Sequence, residues 1–288
     1  MKQRKSKFIK IVGWVLFMLA IVFFCLQMGY FLLHEKFQVE YVDHRLFYII
    51  NMLCVVFLAL AVLFLFRISI IWNLLIAASA IAWIAVNGWL LVLNNKEIKN
   101  ITSLSPDYKH VFSVKENPKT GEAVFYKSYF DILARPKEKL PYKIKGNFKV
   151  KWLAGDIAAM TYQARGHSIH QFIGTYGDRS NGTEYYYVGP EIQGQWHGKN
   201  AEVVNNTKGI TVIHNGKTEK FDWKHVVQFG TLAVVLTKQN EAVWTISLNK
   251  NFVVHASSSA PMTGQISLYQ ATMKDNKPIV LHYQSLSL

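Results

Sequence analysis

Three long apolar runs fill the first third of the chain, and they decide which solvent each part of it must fold in. They cover residues 9–33, 46–66 and 68–93. A hydrocarbon core about 30 Å thick is crossed by roughly 20 apolar residues of helix. Each run is long enough. The stretch from Leu46 to Leu93 is too long for one crossing, and Arg67 and Ser69 mark the break that makes two. Between Phe8 and Leu93 the only Lys, Arg, Asp or Glu residues besides Lys10 are those of residues 35–45 and Arg67. The first run exceeds the 7–15 residues of a cleaved leader and lacks a small-x-small cleavage site, so it reads as an uncleaved signal anchor.

Orientation follows from the basic tail. Lys2, Arg4, Lys5, Lys7 and Lys10 precede or open the first run without any acid, which favours a cytoplasmic N-terminus. Three crossings then put the remainder outside. The expected organisation is a cytoplasmic tail over 1–8, a three-helix transmembrane region over 9–93, and one extracytoplasmic all-β domain over 94–288. Trp72 and Trp89 lie 17 residues apart, about 25 Å along a helix, the spacing of two interfacial belts. Gln27, Asn51 and Asn87 fall at one depth in the antiparallel alignment, where amides bond across helices for about 0.6 kcal/mol each. The small residues Ala77, Ala78, Ser79, Ala80 and Ala82 suit close helix packing, within the bundle or against another membrane protein. No acid or Lys interrupts a span, which argues against an ion pathway.

From Asn94 onward the sequence is polar, with 24 basic and 15 acidic residues, a net of +9 in a chain of net +14. Short runs of Val, Ile, Tyr, Phe and Thr alternate with turn residues, the pattern of a β-sandwich or β-meander. Asn215-Gly216 marks a type I′ hairpin within 209–223, and Gln239-Asn240 joins 231–238 to 242–248. In the latter, Ala242, Trp244, Ile246 and Leu248 share a parity. Tyr142 to Trp152 reads as one strand, with Tyr142, Ile144, Phe148, Val150 and Trp152 on one face. Lys143, Lys145, Lys149 and Lys151 then form a basic ridge on the other. Such lysines either protect an edge strand or bind anions.

Residues 105–126, opening Ser105-Pro106-Asp107 and running to Gly121 and Tyr126, resemble a blade of the β-propellers related to TolB. No Gly follows Asp107 in it, and Trp152 to Tyr162 resembles the start of another blade. The resemblance implies a small propeller-like domain as the alternative fold, and no function is carried over from it.

Both cysteines, Cys25 and Cys54, lie in the apolar runs, so thiolate metal sites and a Cys nucleophile are not expected beyond them. Eight of ten histidines lie beyond residue 94, but His167, His170, His197 and His214 show no ligand spacing and read as scattered surface or turn residues. The loop Thr175 to Gly182, with Asp178 and Arg179, followed by Glu184 and Tyr185, mixes acid, base and aromatic groups as ligand-contacting loops do. Asp178 and Glu184 could form a glycosidase pair, a role that depends on a carboxylate separation the sequence does not fix. No cofactor or metal is expected.

The sequence thus points to a non-enzymatic, multi-pass protein of the cell membrane whose basic β-domain binds an extracytoplasmic ligand or partner. An accessory or sensory subunit of a membrane complex fits this description. A membrane-tethered hydrolase or transferase acting on cell-wall polymers is the alternative. The expected partners are the bilayer, another membrane protein through the helices, and anionic envelope polymers or lipid headgroups. Nucleic acid is not expected, since the basic residues are spread rather than clustered.

Overall fold

The computed structural model describes residues 2–129, 132–177, 187–253 and 263–284, with the side chains of residues 2–6 left aside. Three long helices come first: α1 (Lys2–Phe37), α2 (Arg45–Leu65) and α3 (Ile70–Asn95). All three are long and apolar enough to cross a membrane. Only 6–11% of the residues in their most apolar windows are buried within the protein. A helix that exposes Leu, Ile and Phe all round has lipid as its natural solvent. The chain is a membrane-spanning protein with a β-rich remainder.

Within the bundle α2 packs against both α1 and α3. Phe23 stacks on Phe57 with ring centroids 5.7 Å apart, and Ala20 and Ala61 are buried. Gly13 lets the backbones approach closely: a Cβ there would meet Leu65 Cγ at 2.8 Å. Small residues at such crossings are how membrane helices gain packing without a hydrophobic drive. The aligned amides do not bond across helices. Gln27 instead accepts from the Tyr41 hydroxyl at 2.9 Å, and Asn87 donates to Trp83 O of its own helix at 3.0 Å. Asn51 is half-buried and takes part in no such ladder. Partners closer at hand outcompeted the cross-helix ones.

The compact units do not divide at residue 94. The first comprises Met1–Thr102, Ser113–Thr120 and Val124–Glu138, so it joins the helices to a sheet. That sheet has five strands in the order β1-β5-β4-β3-β2. Four are β2 (Lys99–Leu104), β3 (Val111–Glu116), β4 (Ala123–Tyr129) and β5 (Leu133–Lys139). The fifth, β1 (Glu40–Tyr41), comes from the connection between α1 and α2 and pairs antiparallel with β5.

The second unit holds two sheets. One has three antiparallel strands, β6 (Phe148–Ala154), β7 (Ile157–Gln163) and β8 (Ile169–Thr175). The other is a nine-stranded meander, β12-β11-β10-β9-β17-β16-β15-β14-β13. Its first four strands are β9 (Gly194–Gly198), β10 (Ala201–Asn206), β11 (Gly209–His214) and β12 (Lys217–Phe221). The others are β13 (Val226–Phe229), β14 (Ala233–Lys238), β15 (Glu241–Leu248), β16 (Gln265–Gln270) and β17 (Ile279–Gln284). Trp244 Nε1 on β15 donates to Glu219 Oε2 on the end strand β12 at 2.8 Å, a bond across the interior of a sheet that curls into a nearly closed barrel. Its interior holds Trp196, Val203, Val212, Leu236, Ile246 and Leu268. A second cluster, including Ile157, Ile173, Val235 and Tyr269, packs the three-stranded sheet on its outside. Sheets of five, three and nine strands are not the four-stranded blades of a propeller, so the meander reading stands and the propeller alternative does not.

Both foreseen hairpins form. Asn215 and Gly216 have φ of 50° and 78°, and Gln239 and Asn240 have 52° and 63°, the doubly positive pair of a type I′ turn. Two details differ from the alternation read in the sequence. A register shift leaves Val243 as a bulge, so Ala242 joins the outer cluster while Trp244, Ile246 and Leu248 point inward. The strand expected over Tyr142 to Trp152 is in fact Phe148–Ala154. Ile144 N bonds Gly121 O at 2.8 Å and Lys145 N bonds Gln163 O at 2.9 Å, which turns the preceding residues out of the strand.

Candidate functional site

A polar cluster lies where the α1–α2 connection enters the five-stranded sheet. α1 stops at Phe37 because Gln38 turns with φ of 53°, its N–H bonded to His34 O at 3.0 Å. His34 Nδ1 then lies 2.8 Å from Val39 O. Glu40 and Tyr41 pair with Ala134 and Leu133 of β5, and Val42 N donates to Ile132 O at 2.9 Å. Ser113 Oγ on β3 donates to Val42 O at 2.7 Å. A seven-residue connection is thereby held from end to end.

Side chains reinforce the backbone. Lys115, buried on β3, places Nζ 2.5 Å from Glu40 Oε2 and 4.3 Å from the centre of the Tyr126 ring. The Tyr126 hydroxyl donates to Glu40 Oε1 at 3.4 Å. Burial lowers the Lys115 pKa against the opposing pull of Glu40. The Tyr126 hydroxyl is pushed up to about 12, first by burial and then by the Glu40 charge. A short step along the chain, Asp43 accepts from the Arg45 guanidinium and, at 2.9 Å, from Asn100 Nδ2 of β2. Burial alone would raise the Asp43 pKa, but the bonds from Arg45 outweigh it and leave it low. Asn100 also bonds the His44 ring. On the membrane side Tyr41, buried, stacks on Tyr30 of α1 with centroids 4.2 Å apart. The cluster is a clamp of ion pairs and hydrogen bonds that ties the α1–α2 connection to β2, β3 and β4.

The residues singled out in the sequence are dispersed. Lys143 pairs with Glu122 at 2.9 Å outside any strand. Lys149, on β6, donates to Asn276 Oδ1 at 2.8 Å and to Lys274 O. Lys145 precedes β6 and Lys151 lies within it. These four do not form one ridge, because only Lys149 and Lys151 share a strand. Asp178, Arg179, Glu184 and Tyr185 lie outside the described residues. Gln27 touches the clamp through Tyr41, whereas Asn51 and Asn87 do not.

His170 is not the surface residue expected. It is buried on β8, stacked 3.7 Å from the Tyr142 ring, with Ser168 Oγ 3.0 Å from Nε2. Burial lowers its pKa, with Glu241 opposing. Behind it Gln171 Nε2 donates to Thr161 at 3.0 Å and its carbonyl accepts from Thr245, a buried polar layer that ties β8 to β15. Among the described residues no group of three or more His, Cys, Asp or Glu is placed to hold a metal. Sequence reasoning missed Glu40 and Lys115. The alternation of Val39 and Tyr41 around Glu40 was the available signal, a strand signature two residues long.

The fold and the clamp define a class: a multi-span membrane protein whose β-rich part is woven into the connection between its first two helices. Comparison with known protein families, curated proteins and solved structures found no match for this chain.

Proposed function

We propose that the chain is a non-enzymatic protein of the cell membrane. In this reading its N-terminus is cytoplasmic and its β-rich units are extracytoplasmic. It serves as an accessory or sensory subunit, taking up an anionic ligand or partner on the basic β-rich part and relaying that event to the helices. The observation that carries this reading is β1, the two-residue strand that makes the α1–α2 connection part of a sheet. A tethered domain needs only a linker. A strand inserted between two spanning helices, and clamped by Lys115, gives a displacement of the sheet a direct path to α1 and α2.

Supporting the orientation, the connection at 38–44 and the sheet at 99–139 share one side, as two crossings by α2 and α3 require. The basic residues Lys2 to Lys10 open α1 at the end away from that connection, and Lys and Arg favour the cytoplasm. Supporting an anionic ligand, the part beyond Asn94 carries its net of +9 spread over a large surface.

Protease added to intact cells carrying a C-terminal epitope tests the reading. Loss of the epitope with survival of a membrane stub is the expected result. Full protection until lysis would place the β-rich units in the cytoplasm and end the envelope proposal.

A further inference from the structure

An open cleft of about 610 Å³ lies at the end of α1, lined by Phe31, His34, Glu35, Gln38, Glu40 and Pro136. No Lys or Arg lines it, in a chain of net charge +14. We infer that this cleft binds the ammonium headgroup of a membrane amino-lipid, whose acyl chains lie along the apolar face of α1 beside Phe31 and Leu32.

Depth is the first argument. His34 and Glu35 are the first charged or titratable side chains after the apolar run of α1, so they fall where the hydrocarbon gives way to headgroups. Phe31 and Leu32, 48% and 74% exposed, offer apolar surface just below them.

Electrostatics supplies the second. Glu35 has no hydrogen-bond or ion-pair partner among the described residues, and Glu40 stands on the wall of the same cleft. Glu40 is already matched by Lys115, so a headgroup reaching the cleft meets the single uncompensated carboxylate of Glu35, which repels a terminal anion and attracts a terminal ammonium. A lipid ending in an ammonium offers Glu35 a charge-assisted hydrogen bond.

Preorganisation is the third argument. Glu40 is fixed through both oxygens, by Lys115 and Tyr126, and His34 is fixed by Val39 O, so the wall exists before a ligand arrives. Glu35 is the one carboxylate of the cleft left for the ligand. The inference is independent of what the β-rich part binds and of which side of the membrane it occupies.

The test uses the full chain in detergent, with thermal unfolding followed as single lipids are added. Phosphatidylethanolamine should raise the melting temperature saturably. Phosphatidylglycerol, and phosphatidylethanolamine acylated on its nitrogen, should not. Glu35→Gln should weaken the apparent phosphatidylethanolamine affinity about tenfold, the scale of one hydrogen bond to a charged group. It should leave the lipid-free melting temperature unchanged, and the control Glu97→Gln should behave as the native chain. An equal response to the amine and its acylated form would overturn the inference. So would a Glu35→Gln protein that binds like the native one.

Discussion

Lys115 and Glu40 are 75 residues apart in the chain and 2.5 Å apart in the fold. The ammonium is almost wholly buried, while the carboxylate keeps 34% of its side-chain surface. Losing one partner of a buried pair leaves the other charge without compensation, at about 3–5 kcal/mol. Glu40→Gln should therefore destabilise the full chain toward the lower end, about 3 kcal/mol, because water reaches part of the pair. Lys115→Met should cost less, since the stranded carboxylate is the more exposed member. The double variant should recover much of the Glu40→Gln loss. Equilibrium denaturation in a fixed detergent reads all three, and additive losses would mean that the pair does not act as a unit.

The Tyr41 hydroxyl tests the membrane side of the clamp. Tyr41→Phe removes the donor to Gln27 while keeping the ring stacked on Tyr30. The expected cost is about 1 kcal/mol. Limited proteolysis should also cut residues 38–44 sooner than in the native protein, since that connection is held from both of its sides.

His170 gives the protein an acid-sensitive point. Burial holds its folded pKa below the ordinary 6.5. The unfolded chain therefore binds this proton more readily than the folded one. Stability from this site is complete above pH 6.5 and declines as the pH falls through that value toward the folded pKa. His170→Phe keeps a ring against Tyr142 and removes the titration. Between about pH 7 and 5 the melting temperature of that variant should fall less than that of the native chain. An equal fall in the two would mean that other groups set the acid sensitivity.

Two glycines separate two kinds of constraint. At Gly216 no atom lies within 4 Å of an added Cβ, but φ is 78°, so Gly216→Ala should cost about 1 kcal/mol of backbone strain alone. Gly13 has ordinary helical backbone with Leu65 pressed against it. Gly13→Val should part α1 from α2, and disulfide trapping between cysteines placed in the two helices should lose efficiency. Gly216→Val should leave that trapping unchanged.

The spans were legible because lipid demands a pattern some 20 residues long, which no local choice can imitate. The two type I′ hairpins were legible because positive φ at consecutive residues restricts the residue types severely. What escaped was whatever depended on a distant partner. A two-residue strand such as Glu40-Tyr41 carries almost no local signal and exists only because β5 offers it a free edge. The lysines of 143–151 alternate as on one strand, yet backbone bonds from Ile144 and Lys145 to Gly121 and Gln163 broke that strand in two. The bulge at Val243 likewise reversed the face of Ala242. The amide pairings failed for the same reason, since Tyr41 reached Gln27 before another helix did.

The borrowed strand also sets an order of events during synthesis. Glu40 is translated 94 residues before Ala134, the residue opposite it in the sheet. In the interval α2 and α3 must both enter the membrane, while the first connection waits with its backbone and its carboxylate unmatched. Completion of the sheet therefore requires that residues 38–44 and the partner strand end on the same side of the bilayer. A chain in which only one of α2 and α3 crosses keeps residues 38–44 and the partner strand on opposite sides of the bilayer. Such a chain displays an unpaired strand and a lone buried lysine, which are features that a membrane protease or chaperone can recognise.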